Sequence, residues 1–445
     1  MRKNVKKQAA VLLAAAALGL MTTACGGSKE TGGSSTSTTT AAGAETTTAA
    51  ATEAPEDLPD SAEYTSADGM YKVTLLEGLE QTDMQFQANS SMMGLDGGSS
   101  RQGFSGISLG SPKGSVPGNP AKMESLEDYA DHVVGLALNG SGVTVEWADV
   151  DPQAPAPEGA ERCLAREGKA KVAGTSGLAY AYYVETADSY YSVIAIGNDD
   201  DVEDAKKVLS VEILGGAAAE GSKAFISGLS AVLDTVNGAS VMDTVKALED
   251  MGADESQLQT LAVQAQQSLA DSWGVEDAAG LMEMADWLMS EGHNKDAMDL
   301  LNEFGATGAP DLETLTAELQ AEDEETYNSL VAAYKAWSAY GDAAISAWDL
   351  SRVCTIMGFG YAAGYCTYEE AMDKSLEVAK KAQESFGSWD DFNQSYLCGY
   401  AFWAGEDMED PDNSVADRID IVDTLGAQAN GPFSADWNMA LEKEW

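Results

Sequence analysis

The sequence predicts an α+β fold, with an N-terminal α+β sandwich followed by an all-α C-terminal domain. Two observations carry this. Across residues 63–216, short runs alternate apolar and polar side chains, the period of half-buried strands, with two helical stretches among them. From Ala217 onward strand signals stop and amphipathic helical spacing takes over. Strands with segregated helices make a layered α+β unit. A chain of 445 residues is long enough for two or three domains. Its 44% hydrophobic content supplies their cores.

In chain order, Met70–Leu75, Val143–Val150, Arg162–Val172, Leu178–Glu185 and Tyr190–Ile196 read as strands. Thr186 to Ser189 joins the last two as a hairpin turn. Ser125, with Asp128 three residues later, opens a helix to about Leu138 as a capping box. Asp201–Leu209 reads as a second helix, with Glu203 and Asp204 suiting the positive end of its dipole. Asn89 to Pro120 is rich in Gly, Ser and Met and is expected as a long loop, mobile or functional. Met92 and Met93 within it are expected to pack rather than to bind metal.

Lys223–Val236, Val241–Met251 and Glu255–Leu269 read as helices of a connector over residues 217–262. Gly274 to Asp277 then opens a helix ending at Gly292. An acidic loop near Glu322 to Glu325 precedes a long helix through Trp337. Ile345, Trp348, Asp349, Arg352, Ile356 and Phe359 share one helical face, with Asp349 in reach of Arg352 for an ion pair. Gly360 to Tyr365 is a small-residue break. Thr367 with Glu370, and Ser388 with Asp391, read as capping boxes of the next two helices. In the second of these, Trp389, Phe392, Tyr396, Tyr400 and Trp403 make an aromatic stripe.

Charge narrows the function. Against 73 acids stand 25 bases, for a net charge of −48. Nucleic acid and anionic lipid surfaces would repel such a chain, so neither is expected as a direct partner. Only His132 and His293 are present, which excludes His-rich metal sites. No P-loop, GxGxxG or HExxH appears. The acidic runs 199–204 and 407–412 lack the spacing of an EF-hand and read as solvated faces. No cofactor and no metal are expected.

The N-terminus gives an address. Arg2, Lys3, Lys6 and Lys7 precede an apolar stretch from Ala9 to Met21, which is too short to span a bilayer. This is the pattern of an export signal. Thr22, Thr23 and Ala24 lead into Cys25, and the run resembles a bacterial lipobox, with Thr22 where Leu is usual. The resemblance implies a signal peptide over 1–24 and a lipid on Cys25. Residues 25–62, mostly Gly, Ser, Thr and Ala, read as a flexible spacer. The other cysteines, Cys163, Cys354, Cys366 and Cys398, contain no C-x-x-C and are expected as free thiols.

Two resemblances follow. The order of elements over 63–216, ending in the run Tyr180 to Ile196 and a helix, resembles the PsbP-like fold, which implies a non-catalytic binding or scaffold module. The set WDLSR, GYCTYEEA, SWDDF, Y-x-x-G and FWAG, with ADWLMSEGHN before it and GPFSADW after it, resembles the domain-of-unknown-function family 1266 (YbeU/YbeR-like) over 263–445. That family implies an all-helical domain and brings no established activity. Its matching positions are Trp348, Asp349, Arg352, Tyr365, Glu370, Trp389, Tyr396, Gly399 and Trp403.

The same residues admit two readings. Aromatics at helical spacing form cores, with Asp349 and Arg352 as a pair fixing register. Alternatively, a guanidinium beside a carboxylate, rimmed by indoles and phenols, suits an anionic or sugar-like ligand. The candidate binding residues are therefore Trp348, Asp349, Arg352, Tyr365, Glu370, Trp389, Tyr396 and Trp403. No residue is assigned a catalytic role. The expectation is an exported, lipid-anchored protein on the extracytoplasmic side of the cell membrane, binding or scaffolding without catalysis. Its partners would be the membrane through Cys25 and an envelope protein or small ligand. The alternative is a hydrolase-like enzyme acting on an envelope or extracellular substrate, with its site around Trp348, Asp349 and Arg352.

Overall fold

The computed structural model describes residues 58–445, apart from 88, 114–115, 118–122, 124, 139–142, 173–174, 217–219, 251–252, 254, 310, 319–322 and 429. The expected signal peptide, Cys25 and nearly all of the spacer lie outside the described residues. The protein is α+β, with a strand-rich N-terminal part and a helical C-terminal part.

Two antiparallel sheets build the first part. Strands β1 (Ser61–Thr65), β2 (Tyr71–Leu76) and β10 (Ser210–Ile213) form the smaller, in the order β1-β2-β10. The larger runs β3-β4-β5-β9-β8-β7-β6, from β3 (Glu80–Gln87), β4 (Ser90–Asp96), β5 (Ser105–Pro112), β6 (Val143–Val150), β7 (Arg162–Val172), β8 (Thr175–Glu185) and β9 (Ser189–Gly197). Helix α1 (Leu126–Leu138) packs on one face and α2 (Asp199–Val208) on the other. Alternation along β8 separates the layers. Tyr182 joins Tyr71, Val73 and Val202 in the core beneath the smaller sheet. Its neighbour Tyr183 joins Tyr129 and Val133 of α1. With both faces covered, all nine residues of β9 are buried.

Several expected features appear at the residues named. The hairpin closes with the Thr186 N–H donating to Ser189 O at 2.9 Å. Ser125 caps α1 by accepting the Asp128 N–H at 3.1 Å. Cys163, Cys354, Cys366 and Cys398 are free thiols. The expected loop from Asn89 to Pro120 is a correction, because it holds β4 and β5, two interior strands of the large sheet. Its small residues are there to make room. A Cβ on Gly110 would lie 2.6 Å from the ring of Tyr71 and 3.0 Å from that of Tyr191. Met92 and Met93 point to opposite faces and fill separate cores. Strand β1 begins at Ser61, inside the expected spacer, and strands β3 and β10 carried no signal of their own.

The helical part comprises α3 (Gly221–Asn237), α4 (Val241–Asp250), α5 (Glu255–Trp273), α6 (Ala278–Ser290), α7 (Gly292–Glu303), α8 (Leu312–Glu318), α9 (Glu324–Tyr340), α10 (Ser346–Ala362), α11 (Tyr368–Ser385), α12 (Trp389–Ala404) and α13 (Ser414–Gly426). Helix α10 is its axis, and every residue of it except Ser346 and Arg352 is buried. Close approach explains its glycine partners. A Cβ on Gly399 of α12 would collide with Trp348, and one on Gly360 with Leu281 of α6.

Two contacts tie the parts together. Met84 and Phe86 of β3 share a hydrophobic core with α3 and α4, and the Ser240 N–H donates to Phe86 O at 2.8 Å. Asn89, at φ +58°, donates to Asn430 O at 3.0 Å, and Asn430 donates back to Gly215 O at 2.8 Å. The chain then returns across the bundle. Trp437 packs on Phe225 and Trp389, and Glu444 accepts the Ser222 N–H at 2.9 Å. Among the described residues no single helix is long and apolar enough to cross a membrane.

Candidate functional site

The junction of α7 and α10 begins with a helix that does not cap itself. Glu291, before α7, makes no side-chain cap. The cap comes from α10, where Asp349 accepts the backbone N–H of His293 at 3.1 Å and of Asn294 at 2.9 Å. A carboxylate there meets both unpaired donors and the positive end of the helix dipole. Gly292 permits the approach. Its φ is +55°, and a Cβ there would run into the Asp349 carboxylate. Asn294 closes the other side, accepting the Ile345 N–H at 2.9 Å and donating to Asp342 O at 2.8 Å. Gly-His-Asn and Trp-Asp-x-x-Arg are thus two halves of one joint.

The His293 ring sits at the rim of this joint. Its Nδ1 lies 3.1 Å from Asp349 Oδ1 and 3.2 Å from Arg352 Nη1. One ring nitrogen cannot serve both neighbours. It donates to the carboxylate when it carries a hydrogen and accepts from the guanidinium when it does not. Trp287 meets the ring edge-on at 5.3 Å. The Arg352 guanidinium lies over Trp273 at 4.3 Å and Trp348 at 4.9 Å. Asp349 is 1% exposed, whereas the His293 side chain is 20% exposed.

The structure brings only some of the expected residues together. Trp348 contacts Tyr396, Tyr400 and Trp403, and Arg352 lies over it. Trp389 is elsewhere, packed against Phe225 and donating its indole N–H to Ala435 O at 2.8 Å. Glu370 is exposed at the start of α11, where it closes a reciprocal capping box with Thr367. Tyr365 is half-buried. Trp403 is 41% exposed at the end of α12.

Three groups escaped the sequence reading. The first is His293 itself, whose partner lies 56 residues away. The second is Arg418 of α13, buried and stacked on Tyr400 at 3.7 Å, donating to Tyr396 Oη at 3.0 Å. Burial works against its charge, but the two phenols hold its pKa above the ordinary value. Burial in turn pushes the Tyr396 phenol up to about 12. The third is a chamber of about 50 Å³ between α3, α4, α10 and α11, where Ser230, Asp234, Ser240 and Asp243 meet the apolar Ile226, Met242 and Met372. Asp234 accepts the Ser230 O–H at 2.7 Å. Burial drives its carboxyl well above the aspartate range, and nearby Asp243 adds to the rise. Burial raises Asp243 as well. Nothing marks these two among 73 acids.

Among the described residues no group of three or more His, Cys, Asp or Glu is placed to hold a metal ion. The capping carboxylates are engaged with backbone donors, and the Trp348 ring packs on Tyr396, Tyr400 and Trp403, although its buried indole N–H has no hydrogen-bond partner among the described residues. The half-buried elements at the rim of the joint are His293, Arg352, Trp273 and Trp287.

Comparison with curated proteins finds no match, and neither does comparison with solved structures. The helical part, over residues 268–438, matches the model of the family described as Protein of unknown function (DUF1266).

Proposed function

We propose that the protein is an exported, lipid-anchored envelope protein whose folded part binds or scaffolds without catalysis. One observation carries the non-catalytic reading. The carboxylates best placed for chemistry are used in folding: Asp349 by the N–H groups of α7 and Glu370 by Thr367. The PsbP-like reading of the N-terminal part supports it, since that resemblance implies a non-catalytic binding or scaffold module. The address rests on the run that ends at Cys25. The lipid on Cys25 attaches the chain to the membrane, and an envelope protein or a small anionic or sugar-like molecule is its partner.

The test has two arms. Cys25→Ser is expected to move the protein from the membrane to the soluble fraction and to abolish palmitate incorporation. Retention in the membrane would overturn the anchor. The full chain is then screened by thermal shift against sugars, peptidoglycan fragments and divalent ions, with product analysis of every hit. A shift without product supports binding, and product overturns it.

A hydrolase-like reading is favoured by one observation. Buried Asp349 stands behind Nδ1 of the partly exposed His293, with Arg352 alongside. That is an arrangement in which a histidine acts as general base. In that case His293→Gln removes turnover and leaves unfolding unchanged.

A further inference from the structure

We propose that the groove between α8, α9 and the loop 405–413 docks a basic, amphipathic protein segment. This rests on the binding reading above and names its class of partner.

The groove holds about 400 Å³. That is within the roughly 300–1,000 Å³ of ligand-sized clefts. Its apolar floor is Leu312, Tyr327, Val331 and Met408, all half-buried. Glu313, Asp407 and Glu409 stand exposed along its rim. Lys335 is the single base among its lining residues, and Glu409 holds it at 3.3 Å. An apolar floor under an acidic rim matches a helix with apolar residues on one face and lysine or arginine beside them.

The wall made by α9 and the loop is tied together. Ser329 donates to Phe402 O at 2.9 Å and Asn328 to Gly405 O at 3.1 Å, which fastens the loop to α9. Asn413 donates to Asp407 O at 2.6 Å, and the Glu409 N–H donates to Asp407 Oδ1 at 3.0 Å. The part of the rim carrying Asp407 and Glu409 is thus ordered beforehand and costs little entropy on binding.

Charge removes two other occupants. Residues 26–57 have Glu30, Glu45, Glu53, Glu56 and Asp57 against Lys29, the wrong sign for this rim, and the bases before them, Arg2, Lys3, Lys6 and Lys7, leave with the signal peptide on the reading above. A second copy carries the same −48. Repulsion disfavours both.

The probe is a fluorescein-labelled peptide with leucines at i, i+3, i+4 and i+7 and lysines elsewhere, titrated with the full chain. Saturable binding is expected, with none for the matched peptide carrying glutamate in place of lysine. Val331→Arg and Met408→Arg are each expected to weaken binding by about tenfold or more, the size of effect that removes an interface anchor. Asp199→Asn with Asp200→Asn, on α2, is expected to leave it within about twofold. Equal loss in the α2 variant would overturn the proposal, because binding would then be the diffuse field of an acidic chain. Unchanged binding in the Arg variants, or no saturation at millimolar peptide, would overturn it too. So would full displacement by spermine, which has the charge without the apolar face. If Val331→Arg fails to fold, Met408→Arg in the surface loop decides. Product in the turnover screen would sink the non-catalytic reading and leave the groove standing. Failure of these variants would sink the groove alone.

Discussion

Asp349 caps a helix that is not its own: its carboxylate accepts the Asn294 N–H at 2.9 Å across the α7–α10 joint. From sequence alone, an acid three residues before an arginine reads as an ion pair. The geometry gives that acid two backbone donors as well as the His293 ring. Its hold on α7 therefore outlasts the loss of the arginine.

Asp349→Ala is expected to cost about 1–3 kcal/mol, the range for a lost cap that leaves buried donors unmet. Arg352→Met is expected to cost less, since Asp349 keeps its backbone donors. Urea unfolding of the full chain measures both. A loss of roughly 3–5 kcal/mol in Arg352→Met is the signature of an abandoned buried charge. It would show that the guanidinium, not α7, holds the carboxylate.

Two glycines make a paired test. A Cβ on Gly399 meets the Cβ of Trp348 and the backbone oxygen of Ile345, neither of which can move alone. Gly399→Ala is expected to destabilise by about 1–3 kcal/mol through overpacking. A Cβ on Gly360 meets the methyl ends of Leu281, which can rotate away. Alanine also gains about 1 kcal/mol of helix propensity over glycine. Gly360→Ala should therefore be the milder variant by thermal unfolding, and the reverse order would contradict this packing.

The Asp234 carboxyl gives a pH dependence of definite sign. Burial raises its folded pKa above the unfolded value. Its contribution is therefore fully present below the ordinary aspartate pKa of about 3.9, and it is lost as pH rises through the folded value. Asp234→Asn removes this loss. The variant is expected to be more stable than wild type at pH 8, with the gap closing towards pH 4. Chemical denaturation at several pH values checks it, and a constant gap would mean that the carboxyl stays ionised.

Thiol labelling tests the cores directly. Burial pushes the Cys354 thiol up to about 12 and the Cys398 thiol to about 11. Little of either is thiolate at pH 8. Mass spectrometry after iodoacetamide treatment should find both unmodified in native protein and modified in urea. Rapid native labelling of Cys354 would show that the chamber beside it opens.

The sequence was legible where one element carries its own signal. Strands β6 and β7 alternate, and α11 opens with the box between Thr367 and Glu370. It was silent where the cause lies in another element. Strand β4 reads Ser-Ser-Met-Met-Gly-Leu-Asp, and its first four residues are all buried, so no alternation shows. Strand β5 keeps Gly110 because the rings of Tyr71 and Tyr191 occupy the space of a side chain. The aromatic cluster around Trp348 followed from helical spacing. His293 and Arg418 did not, because their partners come from other helices.

The returning C-terminal strap bears on how the chain is made. Ser222, at the head of α3, meets Glu444 only after 222 further residues. Phe225 likewise waits for Trp437. A ribosome releases α3 long before these partners exist. At several residues per second, the helical core stands open for tens of seconds. During that interval an apolar helix faces water, and the half-made protein is a client for any holdase within reach. The contacts of α3 with Trp437 and Glu444 can form only once those residues have left the ribosome.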